Sequence, residues 1–175
     1  DISHNKIGLE GCEAIAEAIS MNTKLKQLIL NECDLGPKGA STVMMGLSAN
    51  ISIEALFFGD NALGDEGAEA VASMLKVYTR VRHLDLQENG IGNKGMAEIA
   101  TGLKVNKTLV FLGLQWNELG SESVVPLCEA LAMNTTLKSL HLLGTQIDAE
   151  GIRRILESST DKKFDVDVAF GAAAR

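Results

Sequence analysis

Over most of its 175 residues the chain repeats itself every 28 residues, without insertions. Leu25, Ile53, Val81, Leu109 and Leu137 open successive copies of one pattern, L-x-x-L-x-L-x-x-N-x-L-G, followed by a small-residue helical stretch that ends near L-x-x-N. A period of this length is the mark of a solenoid, in which each unit touches only its neighbours. Such a stack builds a long surface, and that geometry favours binding over enclosed chemistry.

One copy, Val81–Thr108, shows how a unit folds. Val81, Leu84 and Leu86 are apolar while His83, Asp85 and Gln87 alternate with them, which is the period of a short half-buried strand. Asn89 follows, and Gly90, Ile91 and Gly92 turn the chain. Asn89 recurs as Asn5, Asn61 and Asn117, with Cys33 and Thr145 as replacements. A polar side chain there can satisfy backbone groups of a buried turn and of the adjacent copy. Gly8, Gly36, Gly64, Gly92 and Gly120 recur next, as expected for a tight bend. Asp65, Asn93 and Ser121 then occupy the place of a helix N-cap. Met96, Ile99, Ala100 and Leu103 lie on one helical face, as do Ala68, Val71, Ala72, Leu75 and Val124, Leu127, Cys128, Leu131. Strand, turn, helix and return turn make one unit, and its apolar face is hidden only by stacking. Helices are roughly 10 Å wide and strands about 4.8 Å apart, so the stack must curve.

The segment Leu84–Gly95 (L-D-L-Q-E-N-G-I-G-N-K-G) and copies such as Leu56–Gly67 resemble the ribonuclease-inhibitor-type leucine-rich repeat. The resemblance implies an α/β fold: a right-handed leucine-rich-repeat solenoid, or horseshoe, with a parallel β-sheet on its concave face and α-helices on its convex face. Similar repeats occur in ribonuclease inhibitor, the sensor regions of NOD-like receptors, Ran GTPase-activating protein and tropomodulin-type actin cappers. Architecture follows from the motif; function has to come from the site.

The expected organisation is a single leucine-rich-repeat domain over 1–170. It comprises a partial copy at 1–24, full copies at 25–52, 53–80, 81–108, 109–136 and 137–160, a terminal strand at 163–169, and a tail at 171–175. In that terminal strand Phe164, Val166 and Val168 alternate with Asp165 and Asp167. Terminal repeats are atypical, and the decayed last copy reads as a C-terminal edge. The chain opens inside a copy without a polar cap, which suggests a fragment of a longer signalling, sensor or adaptor protein.

A net charge of −7 argues against nucleic acid, which calls for clustered Lys and Arg. No stretch approaches the roughly 18 apolar residues of a span, so neither nucleic acid nor membrane is expected as a partner. Cys12, Cys33 and Cys128 fit no metal spacing and read as buried thiols of a cytoplasmic protein. Asn50, Asn106 and Asn134 begin glycosylation sequons, yet all three share one repeat position with Asn22, which has none; a turn role accounts for them.

If strand positions four and six point inward, positions three, five, seven and eight face the hollow. They contain no Lys or Arg but include Glu32, Asp60, Asp85 and Glu88, which suits a basic protein partner. Phe57, Phe111 and Trp116 fall there too, with Ile29 beside Phe57 and Leu143 beyond Trp116; exposed aromatics are typical interface anchors. Gly113 is expected to leave a notch between Asp85 and His141, walled by Gln87, Gln115 and Trp116. The expected partner-binding set is Ile29, Glu32, Phe57, Asp60, His83, Asp85, Glu88, Phe111, Gln115, Trp116, His141 and Leu143.

No catalytic arrangement, cofactor motif or metal cluster emerges. His83 and His141 sit two strands apart, about 9.6 Å, too far to share a zinc ion. The expected function is a non-enzymatic protein-interaction scaffold. The resemblance offers two alternatives: assisting a GTPase, as Ran GTPase-activating proteins do, or structural capping of the tropomodulin type.

Overall fold

The computed structural model describes residues 1–159 and 164–167. Helices and strands alternate strictly: α1 Gly8–Met21, β1 Gln27–Ile29, α2 Gly36–Leu47, β2 Ala55–Phe57, α3 Gly64–Val77, β3 His83–Asp85, α4 Asn93–Val105, β4 Phe111–Gly113, α5 Val124–Met133, β5 Ser139–His141, α6 Ala149–Ser158 and β6 Asp165–Asp167. The six strands pair in parallel in sequence order, β1 to β6. Equivalent residues lie side by side, as in Gln27↔Ala55↔His83↔Phe111↔Ser139. The final step, Ser139↔Asp165, is two residues shorter. Within it Phe164 and Val166 are buried while Asp165 and Asp167 are exposed; Val168, the expected start of the tail and the rest of the last return lie outside the described residues.

Every step from sequence to core follows from this register. Position four (Leu28, Leu56, Leu84, Leu112, Leu140) and position six (Leu30, Phe58, Leu86, Leu114, Leu142) are buried throughout. From the other side they meet Val43 and Leu47 of α2, Val71 and Leu75 of α3, Ile99 and Leu103 of α4, and Leu127 and Leu131 of α5. Each such side chain contributes about 1.5–3 kcal/mol on leaving water. Ile53, Val81, Leu109 and Leu137 are buried too, but Leu25, with only the partial first copy on its N-terminal side, is 37% exposed.

Two asparagine ladders tie the copies together. Asn89 accepts from the backbone N–H of Asn61 at 3.0 Å and donates to the carbonyls of Phe58 (2.9 Å) and Gln87 (3.0 Å). Asn61 and Asn117 repeat the scheme. Cys33 substitutes for the amide donor: its Sγ lies 3.4 Å from the carbonyls of Ile2 and Asn31, the positions the asparagines use. Burial pushes the Cys33 thiol up, and that of Cys12 likewise. Cys128, expected to be buried, is only half-buried; it lies in α5, which follows a 3₁₀ turn at Ser121–Ser123.

The second ladder runs along the return turns. Asn50, Asn106 and Asn134 are buried, and each donates its amide to a carbonyl at the helix end one copy back: Ile19 of α1, Leu75 of α3 and Leu103 of α4. The sequon asparagines are therefore internal struts. Tyr78 replaces Asn at this position, and its hydroxyl, with one proton to give, lies within hydrogen-bond distance of two acceptors, Asn50 Oδ1 (2.9 Å) and the Ile53 carbonyl (2.7 Å). Burial of that phenol pushes its pKa up to about 12.

The expected N-caps act on the wrong helix for a local reading. No side-chain cap bond forms within α3 or α4 themselves. Instead Asp65 Oδ1 accepts from the N–H groups of Gly92 and Gly95, both at 2.8 Å, and so caps α4 of the following copy. Asn93 does the same one copy on, accepting from Gly120 N–H at 2.8 Å and from the Ser123 hydroxyl at 2.6 Å. Ser121 lies in the 3₁₀ turn and caps nothing. The terminal helix α6 is capped from within, Asp148 accepting from Gly151 N–H at 2.8 Å. This explains a second departure: Gly8, Gly36 and Gly64 adopt left-handed backbone, but Gly92 and Gly120 are extended. At Gly92 the reason for glycine is proximity, since a β-carbon would lie 3.3 Å from Asp65 Oδ1.

Candidate functional site: the concave face

Each strand is three residues long, so only positions three and five project from the sheet, while seven and eight belong to the turn that follows. Glu32, Asp60, Glu88 and Trp116 at position eight are exposed. Ile29, Phe57, His83, Asp85, Phe111, Gln115, His141 and Leu143 are half-buried. The register sets Ile29, Phe57, His83, Asp85, Phe111 and His141 on one face of the sheet, and Glu32, Asp60, Glu88, Gln115, Trp116 and Leu143 in the turns at its edge.

Four rings form a continuous ladder across that face. Phe57 meets His83 with centroids 4.7 Å apart, His83 stacks on Phe111 at 4.0 Å with planes 1° apart, and Phe111 meets His141 edge-on at 4.6 Å. Parallel pairing sets His83 directly beside Phe111, both at position three, while Phe57 and His141 at position five reach His83 and Phe111 across the diagonal, which is within reach of rings. Phe111 is therefore committed to His83 and His141. Burial between two phenyl rings holds His83 below the usual histidine range, against an opposing pull from Asp85, with His141 lowering it further.

The notch expected at Gly113 is closed. A β-carbon on Gly113 would lie 2.6 Å from Asp85 Oδ1 and 2.9 Å from Gln115 Oε1, so these two side chains fold over the gap. Gln115 Oε1 is buried there without a hydrogen-bond partner, while its Nε2 lies 3.3 Å from His141 Nδ1. That contact requires the tautomer in which Nδ1 accepts. Gln87 covers Gly59 in the same way, 3.0 Å from the place of a β-carbon.

Position eight adopts left-handed backbone in every copy: His4, Glu32, Asp60, Glu88, Trp116 and Gly144 all have φ between 52° and 74°. This is an uncommon conformation for a large aromatic residue. Trp116 nonetheless stands 56% exposed, with its ring laid across Gly144 of the next copy. Its flank is acidic, with Glu88 one copy back and Asp60 beyond it. His4 pairs with Glu32 at 3.0 Å, and His141 lies 3.7 Å from Asp167.

Among the described residues no three His, Cys, Asp or Glu side chains converge as metal ligands. On the convex side a groove of about 430 Å³ runs between α2 and α3, lined by Met44, Met45, Met74 and Val77 with Glu66 and Glu69. Sequence reasoning passed over it because Met45 and Val77 depart from the inward helical stripe. The ring ladder also went unseen, although its signal, aromatic and imidazole residues in adjacent strand columns, was present.

Known proteins match this geometry. The solved structure described as "Leiomodin-1 Actin-Binding Site 2 (ABS2)" superimposes with a TM-score of 0.68 at 22% identity, covering 86% of this chain and 84% of that one. The tropomodulin C-terminal domain of Caenorhabditis elegans gives a TM-score of 0.69 at 16% identity, covering 86% of this chain and 90% of that one. At these identities the likeness concerns the fold. No curated protein sequence matches the chain. The family model described as "Leucine Rich repeat" matches residues 1–16, 22–44, 49–72, 79–100, 105–128 and 134–156, in phase with the observed copies. The chain belongs to the leucine-rich repeat family.

Proposed function

We propose that this protein is a non-enzymatic interaction scaffold that holds a protein partner against its concave face. The observation that carries the reading is Trp116, an indole held 56% exposed in left-handed backbone amid acidic neighbours. A chain rarely keeps a large ring in so unfavourable a place without use for it, and Trp is the residue most enriched at interface hot spots. The ladder from Phe57 to His141 supplies a rigid apolar floor, and Asp60, Asp85 and Glu88 steer a basic surface toward it. The 28-residue period supports placement in the ribonuclease-inhibitor-type subdivision, and two buried free thiols fit a cytoplasmic setting.

The test is site-specific photocrosslinking in extracts of source cells, with the reactive residue at position 116 or, as control, at Glu13 on the convex side. Adducts from position 116 that vanish on competition with unlabelled protein, but not with Trp116→Ala protein, support the reading. Adducts confined to the control position contradict it.

A second reading rests on the two structural neighbours, one of which is described as an actin-binding site. It assigns actin as the partner and tropomodulin-like capping as the role. Purified actin answers this directly: binding weakened by Trp116→Ala supports both readings, and no binding removes actin alone.

A further inference from the structure

The two rims of the solenoid carry opposite charge. Where helices run into strands, exposed Lys24, Lys76, Arg80, Arg82 and Lys107 stand with half-buried Lys104. Glu54 and Glu129 are acids of this rim, and each is paired, with Lys26 at 2.7 Å and with Lys104 at 2.8 Å. Lys24, Lys76, Arg80 and Arg82 enter no ion pair within 4 Å among the described residues. Where strands run into helices, the opposite rim presents Glu32, Asp60, Glu66, Glu88, Glu118 and Glu122, relieved by Lys6, Lys38 and Lys94. Helix dipoles favour this sense of charge at each end. They give no reason for a second feature of the basic rim.

That feature is a row of exposed aliphatic tips. Met21, Val77, Val105 and Met133 are the last residues of α1, α3, α4 and α5, and are 70%, 62%, 55% and 56% exposed. Ile51, in the turn after α2, is 62% exposed and continues the row. The constant strand register keeps these helix ends level, so the tips line one rim with basic residues between them.

We propose that this rim docks on an anionic membrane surface, its lysines and arginines over the headgroups and its Met, Ile and Val tips in the headgroup boundary. Single aliphatic tips, one per copy and with no aromatic anchor among them, lack the central cluster on which a protein interface is built. Combined with free basic residues, they supply both contributions to interfacial lipid binding, apolar insertion and attraction to anionic headgroups. No helix among the described residues is long and apolar enough to cross a membrane, and this mode requires none. The proposal departs from the expectation of no membrane partner. Docked in this way, the acidic rim faces solution and the concave face stays open; the inference does not rest on the reading of that face.

The experiment is co-sedimentation of the full chain with phosphatidylcholine vesicles, with and without phosphatidylserine, at low and high salt. Binding is expected to require phosphatidylserine and to weaken with salt as charges are screened. Arg80→Glu with Arg82→Glu should weaken it at least about 25-fold, taking the roughly fivefold that each basic residue near an anionic surface contributes. Val77→Ser with Val105→Ser should weaken it too, with circular dichroism unchanged, while Trp116→Ala binds vesicles like the parent. Equal binding to neutral vesicles, no pelleting at low salt, or an unaffected arginine double variant overturns the proposal. So does capture of polyglutamate without vesicle binding, which would reassign the rim to an acidic protein.

Discussion

Trp116 lies across the α-carbon of Gly144: a β-carbon there would fall 2.2 Å from the indole ring. Gly144 also has φ +74°, so it is glycine for two separate reasons, one local and one imposed by the neighbouring copy. Gly144→Ala should therefore lift the indole off the sheet and lower stability by about 1–2 kcal/mol. Trp116 is the single tryptophan of the chain, so its emission maximum reports the displacement directly. An unchanged spectrum, together with unchanged stability in urea, would mean that the ring does not rest there.

Capping in trans makes a distinct claim about Asp65. Asp65→Ala should cost about 1 kcal/mol, the usual worth of an N-cap, and the loss should appear as faster amide exchange at Gly92 and Gly95 in α4. Exposed Glu66 next to it makes no such bond, so Glu66→Ala should leave both amides protected. Equal effects at the two positions would reduce the interaction to helix-dipole electrostatics.

The asparagine ladder should tolerate replacement unevenly. Asn89→Ala strands buried backbone groups of Phe58, Asn61 and Gln87, and a loss of about 3 kcal/mol or more is expected in chemical denaturation. Asn89→Cys should lose less, because Cys33 already shows a thiol reaching the equivalent carbonyls. If the two variants are equally unstable, the thiol contacts at Cys33 carry no weight.

Acidification should disturb the ring ladder. Burial lowers the pKa of His83 in the folded state, so below about pH 6.5 the unfolded chain binds a proton that the folded chain resists. Stability on this account is fully present above that value and falls as pH drops toward the lowered folded pKa. His83→Phe removes the titration while keeping a ring, and its stability should decline less than the parent's over this window. Parallel pH profiles for the two proteins would show that His83 is not held neutral by its neighbours.

What the sequence made legible was set by periodicity. The positions of Leu28 and Leu30 are apolar and buried in all five full copies, because one strong apolar alternation has a single way to be hidden. The misread features depend on distances between copies. Asp65 looks like the cap of its own helix because local spacing says nothing of Gly92, 27 residues away but adjacent in the stack. Gly113 reads as a gap until Asp85 from one side and Gln115 from its own turn are seen to fold over it. The set of concave residues was readable in columns; their division into a packed ring ladder and a free indole was not, since it depends on which ring leans diagonally onto which neighbour.

The direct test of recognition by the hollow is the dissociation constant of the crosslinked partner, once identified, for parent, Trp116→Ala and Glu13→Ala proteins. Loss of a hot-spot tryptophan should weaken binding by about 2 kcal/mol or more, roughly thirtyfold, with Glu13→Ala equal to the parent. If Trp116→Ala binds as tightly as the parent while folding normally, the concave face is not the contact.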